Sequence, residues 1–158
     1  MARKRLKAYL VLLSLFAVIG LIVRLLTRRR DQNQQAQLII QTLMSKGMDL
    51  QTARQWVTVA ALETNGFTSQ VYKDSHNLFG LRRADKPALG YGEHQNIFPN
   101  DLDSINALFE WVIKYWNYPL NFSSIQDQAE FMKSKWYYGG DIPTYVKNMV
   151  YWWNKLFL

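Results

Sequence analysis

The stretch Ala60-Ala61-Leu62-Glu63-Thr64-Asn65-Gly66-Phe67, followed by His76-Asn77-Leu78-Phe79-Gly80, decides the fold of this chain. From residue 50 to residue 64 apolar side chains recur at the i, i+3 and i+4 positions of a helix. Asp49 is suited to cap the start of this helix, and Gly66 is suited to end it. Glu63 is then expected in the last turn, at the border of the apolar face. Apolar surroundings keep a carboxylic acid protonated near neutral pH, which is the state that a general acid needs.

The residues on either side of this helix predict a mainly helical α+β domain. Between residues 67 and 100 glycines and prolines interrupt the helical period, which favours a small β-hairpin or an irregular lobe. Further helices are predicted over about residues 38–45, from Asn100, Asp101 or Asp103 to before Pro119, from Ser123 or Ser124 through Met132, and from near Pro143 to Phe157.

The N-terminal segment predicts a membrane anchor. Residues 8–23 contain no charged residue, and basic residues flank them on both sides. A span of about 20 apolar residues crosses a bilayer, and no small-residue cleavage site follows, so a retained anchor through residues 8–27 is favoured over a cleaved signal. The predicted organisation is an anchor with basic flanks over residues 1–30, a polar juxtamembrane linker over residues 31–37, and a folded domain over residues 38–158.

The charge distribution argues against a nucleic-acid partner. The chain has a formal net charge of +7, but eight of its 19 Lys and Arg residues lie in residues 1–30, which leaves 11 basic against 12 acidic residues in the rest. A phosphate binder needs a basic patch on its folded surface, and this composition does not supply one. The chain has no cysteine and two histidines, so neither a metal site nor a cofactor is expected.

Two further stretches are candidates for ligand contact. Asn77 and Phe79 combine an amide and an apolar ring next to Gly80, where backbone can approach a ligand; the alternative is a tight turn that the apolar side chains anchor in the core. Residues 137–145 place aromatic rings and hydroxyls beside a Gly-Gly pair, which suits the two faces of a sugar ring. The alternative is that the glycines end one helix and Asp141 caps the next.

In this order, residues 61–64, 77–80, Phe98 with 103–105, and 138–145 resemble the peptidoglycan endo-β-N-acetylglucosaminidase family, the autolysin and flagellar-type glucosaminidases of the lysozyme-like superfamily. The resemblance covers roughly residues 38–156 and implies a lysozyme-like fold. It implies that Glu63 is the general acid. It also suggests Glu93 as a second catalytic carboxylate by spacing, with Asp85 and Asp74 as rivals. It further implies that Tyr138 contacts the substrate, with Asp141 and Tyr145 in the supporting motif of this tyrosine.

The resemblance implies a membrane-anchored hydrolase that cleaves peptidoglycan glycan strands. Two alternatives stay open: a lytic transglycosylase of the same superfamily, and a non-catalytic membrane structural protein that binds peptidoglycan. Because peptidoglycan lies outside the cytoplasmic membrane, the expected topology has the N-terminus in the cytoplasm and the domain on the wall side. The membrane of a lipid-containing virion is the other expected location.

Overall fold

The computed structural model describes residues 2–81, 90–91, 96–110, 121–135 and 139–158. The chain divides into two compact units, Met1–Gln34 and Gln35–Leu158. Helix α1 extends over Ala2–Ser45, so its first part forms the N-terminal unit and its end belongs to the second.

The N-terminal unit exposes apolar side chains around the whole helix. Between Leu12 and Leu26 every Leu, Ile, Val and Phe side chain is 47 to 66% exposed. A helix that is apolar on all sides has no single face to bury against a protein core. Among the described residues, no helix combines the length and the apolarity needed to cross a membrane. The helix expected over residues 8–27 is thus part of α1, and its insertion into a bilayer stays a prediction.

The predicted polar linker over residues 31–37 is helical, because α1 continues through it without a break. The segment contains neither Gly nor Pro, and its Gln and Ala residues favour helix, so no local signal ends the helix there. In the second unit, Ala36, Ile39, Ile40 and Leu43 of the same helix are buried in the core.

The second unit continues with five more helices and one small hairpin among the described residues. They are α2 (Leu50–Glu63), α3 (Gln70–Ser75), β1 (Gly90–Tyr91), β2 (Asn96–Ile97), α4 (Asp101–Leu108), α5 (Ile125–Ser134) and α6 (Ile142–Phe157). The strands are antiparallel, with Gly90 opposite Ile97 and Tyr91 opposite Asn96. The mainly helical class is therefore confirmed. Helix α3, which begins after the N-cap Ser69, interrupts a region expected to lack helix.

The helix starts follow the capping residues that the sequence offers. Asp49, Asn100, Ser124 and Asp141 each accept a hydrogen bond from the backbone N–H three residues later, at 2.6 to 3.0 Å. Such a bond satisfies one of the free donors of the first turn. Of the capping residues that the sequence offered, Asn100 therefore caps α4 and Ser124 caps α5. The predicted end of α4 before Pro119 lies outside the described residues.

Helix α2 is the centre of the core. Nine of its residues are buried, and it packs against α6, which also packs against α5. The Trp56 ring meets the Phe79 ring edge to face, with centroids 5.9 Å apart and planes at 88°. This contact, worth about 1 kcal/mol beyond area burial, joins α2 to the loop after α3. The core therefore fixes both segments that approach Glu63.

Candidate active site at the end of helix α2

Glu63 lies at the last residue of α2, where the chain leaves the core. Ala60 and Ala61 are fully buried, whereas Glu63 itself is exposed. The chain then reverses: the Thr64 hydroxyl donates to the Ala60 carbonyl at 2.6 Å and accepts from the Phe67 N–H at 2.9 Å. The buried residues before Glu63 and the chain reversal after it hold the Glu63 backbone in position, although its side chain reaches solvent.

The exposure of Glu63 corrects the expectation of a carboxyl in apolar surroundings. Because the residue occupies the final turn, only the backbone before it is enclosed by core residues. Among the described residues, a glycine backbone and a tyrosine hydroxyl approach its carboxyl, and neither is an apolar side chain. The site presents the acid toward solvent, where a large ligand can reach it.

Gly80 approaches the Glu63 carboxyl so closely that a side chain at position 80 would displace the carboxyl. A Cβ added at Gly80 would lie 2.9 Å from Glu63 Oε2, and the φ of Gly80 is +63°. Both the contact and the left-handed backbone favour glycine. The loop after α3 thus forms one wall beside the acid.

Asn77 holds this loop in shape. Its Oδ1 accepts from the Leu81 N–H at 2.9 Å, and its Nδ2 donates to the carbonyls of Leu81 and Asn96 at 2.8 and 3.1 Å. The amide thereby closes the turn that carries Gly80 and attaches it to β2. The Ser104 hydroxyl accepts a further bond from the Leu78 N–H at 3.0 Å.

Asn77 and Phe79 were expected to contact substrate, and the structure places both beneath the surface. Asn77 is 3% exposed and Phe79 is fully buried. Their side chains satisfy the turn and the core, as in the alternative reading of this stretch. Asn77 and Phe79 can affect a ligand only by setting the shape of the loop. We therefore correct their role from contacting the substrate to positioning the loop.

Tyr145 lies on the opposite side of the carboxyl. It is 8% exposed, and its hydroxyl donates to Glu63 Oε1 at 3.4 Å, across 82 residues of sequence. Asp141 caps α6 one turn earlier through the Thr144 N–H. This backbone hydrogen bond lowers the pKa of Asp141. Of the predicted site residues, Glu63 and Tyr145 are brought together, and Asp141 supports the helix turn that carries Tyr145.

The other predicted residues do not add to this arrangement. Glu93, Asp85 and Tyr138 lie outside the described residues. Asp74 is on α3, where it accepts a hydrogen bond from Gln70 Nε2 at 2.8 Å. No group of three or more metal-ligating side chains converges within the part of the chain that the structure describes.

A polar cluster centred on Asp101 was not predicted from the sequence. Asp101 Oδ2 accepts from Tyr72 and Gln35, each at 2.8 Å, and Oδ1 lies 3.0 Å from His76 Nδ1. Burial, and then the bond to Asp101, raise the pKa of Tyr72 well above its usual range. His76, with a φ of +51°, precedes Asn77, so the cluster fixes the start of the loop that reaches Glu63.

Comparison with known protein families, with curated proteins and with solved structures gave no significant match.

Proposed function

We propose that this protein is a membrane-anchored peptidoglycan hydrolase of the endo-β-N-acetylglucosaminidase type. The observation that carries the proposal is the Glu63 carboxyl, exposed at the end of a buried helix between the Gly80 backbone and the Tyr145 hydroxyl. A positioned carboxylic acid that solvent and substrate can reach is able to protonate a leaving glycosidic oxygen.

Each neighbour of Glu63 has a part in this chemistry. The Tyr145 hydroxyl holds one carboxyl oxygen by a hydrogen bond and so limits its rotation. Gly80 leaves the other oxygen room beside the loop backbone. Proton transfer is efficient only when the acid is within hydrogen-bonding reach of the oxygen it protonates, so this orientation is part of the proposal.

The second step needs a group that completes the displacement at the sugar carbon. Glu93 is one candidate, as a nucleophile or as the base that activates water, and the acetamido group of the substrate is the other. A lytic transglycosylase requires only the acid and forms a 1,6-anhydro end without water. The same fold without catalysis would bind glycan and release no ends.

The proposal includes attachment to a membrane through residues 8–27. It is supported by the uncharged run over residues 8–23 and by the apolar side chains exposed on all sides of α1 from Leu12 to Leu26. A lipid environment removes the cost of this exposure to water. The N-terminus would then be cytoplasmic and the second unit on the wall side; a virion membrane is the alternative location.

Wall clearing by matched variants tests the proposed acid. Glu63→Gln keeps the size of the side chain and removes its proton, so we expect loss of clearing of purified sacculi with thermal unfolding unchanged. Glu130→Gln is the control, because Glu130 is exposed on α5 and its carboxyl accepts a hydrogen bond from Gln126 one turn away. A Glu63→Gln protein that clears sacculi at the wild-type rate would refute the assignment.

A further inference from the structure

A cavity lies on the side of α2 that faces away from the proposed acid. It has a volume of about 700 Å³, and its walls come from the start of α2, the start of α5 and the end of α6. Arg54 precedes Glu63 by nine residues, which is about 13 Å along the helix and half a turn around it. Sites for small molecules typically have volumes in this range.

Hydrogen bonds fix the walls of this cavity. The Thr52 hydroxyl accepts from the Phe122 N–H at 2.8 Å, and Gln51 Nε2 donates to the Ser123 carbonyl at 2.8 Å. The two bonds attach α2 to the segment that leads into α5. The cavity is therefore bounded by ordered backbone on two sides, as a binding site requires.

Arg54 supplies the one charged group among the lining residues. Its guanidinium stacks over the Phe157 ring, 5.3 Å from the centroid, and that ring in turn contacts Trp153 with centroids 5.2 Å apart. Within the described residues no carboxylate is paired with Arg54, and its Nε atom is buried without a hydrogen-bond partner. An arginine held in place with open donors is a ready partner for an oxyanion.

Gln55 gives an independent sign of a missing ligand. It is 1% exposed, it lines the cavity, and its Oε1 has no hydrogen-bond partner among the described residues. An unsatisfied buried acceptor destabilises the folded protein, so a ligand N–H that reaches this oxygen would offset that loss.

We propose that this cavity binds a small ligand that carries a carboxylate next to an amide N–H, as does the C-terminal residue of an acylated dipeptide. The carboxylate pairs with the guanidinium fork of Arg54, and the N–H donates to Gln55 Oε1. Leu50, Ile125 and Trp153 offer apolar surface to a small side chain. One guanidinium balances a monoanion, which favours a carboxylate over a phosphate dianion.

The ligand class is independent of the proposed glycan cleavage. Peptides attached to wall glycan have free carboxyl ends of this chemistry. Only the assignment of the ligand to such wall peptides rests on the proposed function. The binding test below needs no cleavage, so its failure and a failure of the assignment of Glu63 can be told apart.

Calorimetric titration of the full chain in mild detergent tests the proposal. The probes are N-acetyl-alanyl-alanine in both stereochemical forms, the same dipeptides with a C-terminal amide, and inorganic phosphate. We expect at least one acid form to bind and its amide to bind at least about tenfold more weakly, as loss of a charge-assisted hydrogen bond predicts. Binding of phosphate alone, or equal binding of acid and amide, would overturn the proposal.

Matched variants locate the binding. Arg54→Gln is expected to weaken acid binding at least about tenfold, and Lys147→Gln, which removes an exposed cation elsewhere on α6, is expected to leave it unchanged. Gln55→Met has a similar volume and no buried acceptor, so it should weaken binding while raising the melting temperature of the free protein. Wild-type affinity in folded Arg54→Gln protein, verified by circular dichroism, would contradict the proposal.

Discussion

At the scale of single residues, the proposed site consists of the Glu63 carboxyl and the groups that hold it in position. Glu63, Gly80 and Tyr145 come from three segments that the core holds together, and Asp141 stabilises the turn that presents Tyr145. None of these contacts buries the carboxyl. Its position is therefore set by directed contacts, and single substitutions should shift the carboxyl more than they destabilise the fold.

Gly80→Ala separates position from stability. The new Cβ would meet Glu63 Oε2 at 2.9 Å, so the carboxyl must move and wall clearing should fall at least tenfold. The left-handed backbone costs about 1–2 kcal/mol in the free energy of unfolding. Gly47→Ala is the control, because Gly47 also has a positive φ and no atom within 4 Å of an added Cβ. Equal activity of the two variants would contradict the account.

Asp141 predicts a pH-dependent contribution to stability. Its hydrogen bond to the Thr144 N–H lowers the pKa in the folded state, so its stabilisation is present above the pKa of the unfolded state and is lost as the pH falls through the folded value. The difference in unfolding free energy between wild type and Asp141→Ala should therefore shrink from pH 6 to pH 3. Asp141→Asn, a cap without charge, should show a much weaker dependence in the same denaturant titrations.

At the scale of elements, the turn after α3 decides whether the site exists. The Asn77 amide joins the two ends of this turn to each other and to β2, where the Asn96 N–H also donates to the Leu81 carbonyl, while the Asp101 cluster holds the first residue of the turn. The hairpin and the end of α2 are linked through this turn. Its integrity should therefore be visible both in stability and in the proposed activity.

Asn77→Ala tests the turn. The change leaves the Leu81 N–H and the Asn96 carbonyl without their amide partner in a buried region, so we expect a loss of about 2–3 kcal/mol in the free energy of unfolding. Asn148→Ala, an exposed amide on α6, should change stability by less than about 0.5 kcal/mol. Similar denaturation midpoints for the two variants would show that the amide does not hold the turn.

The sequence predicted the elements whose signals are local. Caps such as Asp49 and Ser124 act within three residues, and the apolar period of α2 is continuous, so these helices could be located. The bond between Tyr145 and Glu63 joins residues 82 apart, and the Asp101 cluster spans up to 66 residues. Such contacts arise from packing, which no local pattern encodes.

At the scale of the whole molecule, the chain combines a buried helical core with an N-terminal helix whose apolar residues face solvent. Among the described residues, those from Leu12 to Leu26 account for most of the large exposed apolar side chains, whereas the second unit has one buried apolar cluster and fewer exposed apolar residues. Extended apolar exposure of this kind marks contact with lipid or with another protein. Our proposal commits to lipid.

Charges placed within residues 8–27 test the anchor. Ile19→Arg together with Ile22→Arg should release the protein from membranes, because each charge at the centre of a bilayer costs about 2.5–3.5 kcal/mol. Val150→Arg is the control, since Val150 is an exposed apolar residue of α6. Alkaline extraction followed by sedimentation measures the distribution. Equal sedimentation of the double variant and wild type would contradict membrane insertion.

Mass spectrometry of the glycan fragments that the full chain releases from purified sacculi is the sharpest test of catalysis by Glu63. The account predicts new reducing ends at N-acetylglucosamine with wild-type and Glu130→Gln protein, and no new ends with Glu63→Gln. Anhydro ends would assign the site to a transglycosylase. Binding to sacculi without any new chain ends would contradict catalysis by Glu63.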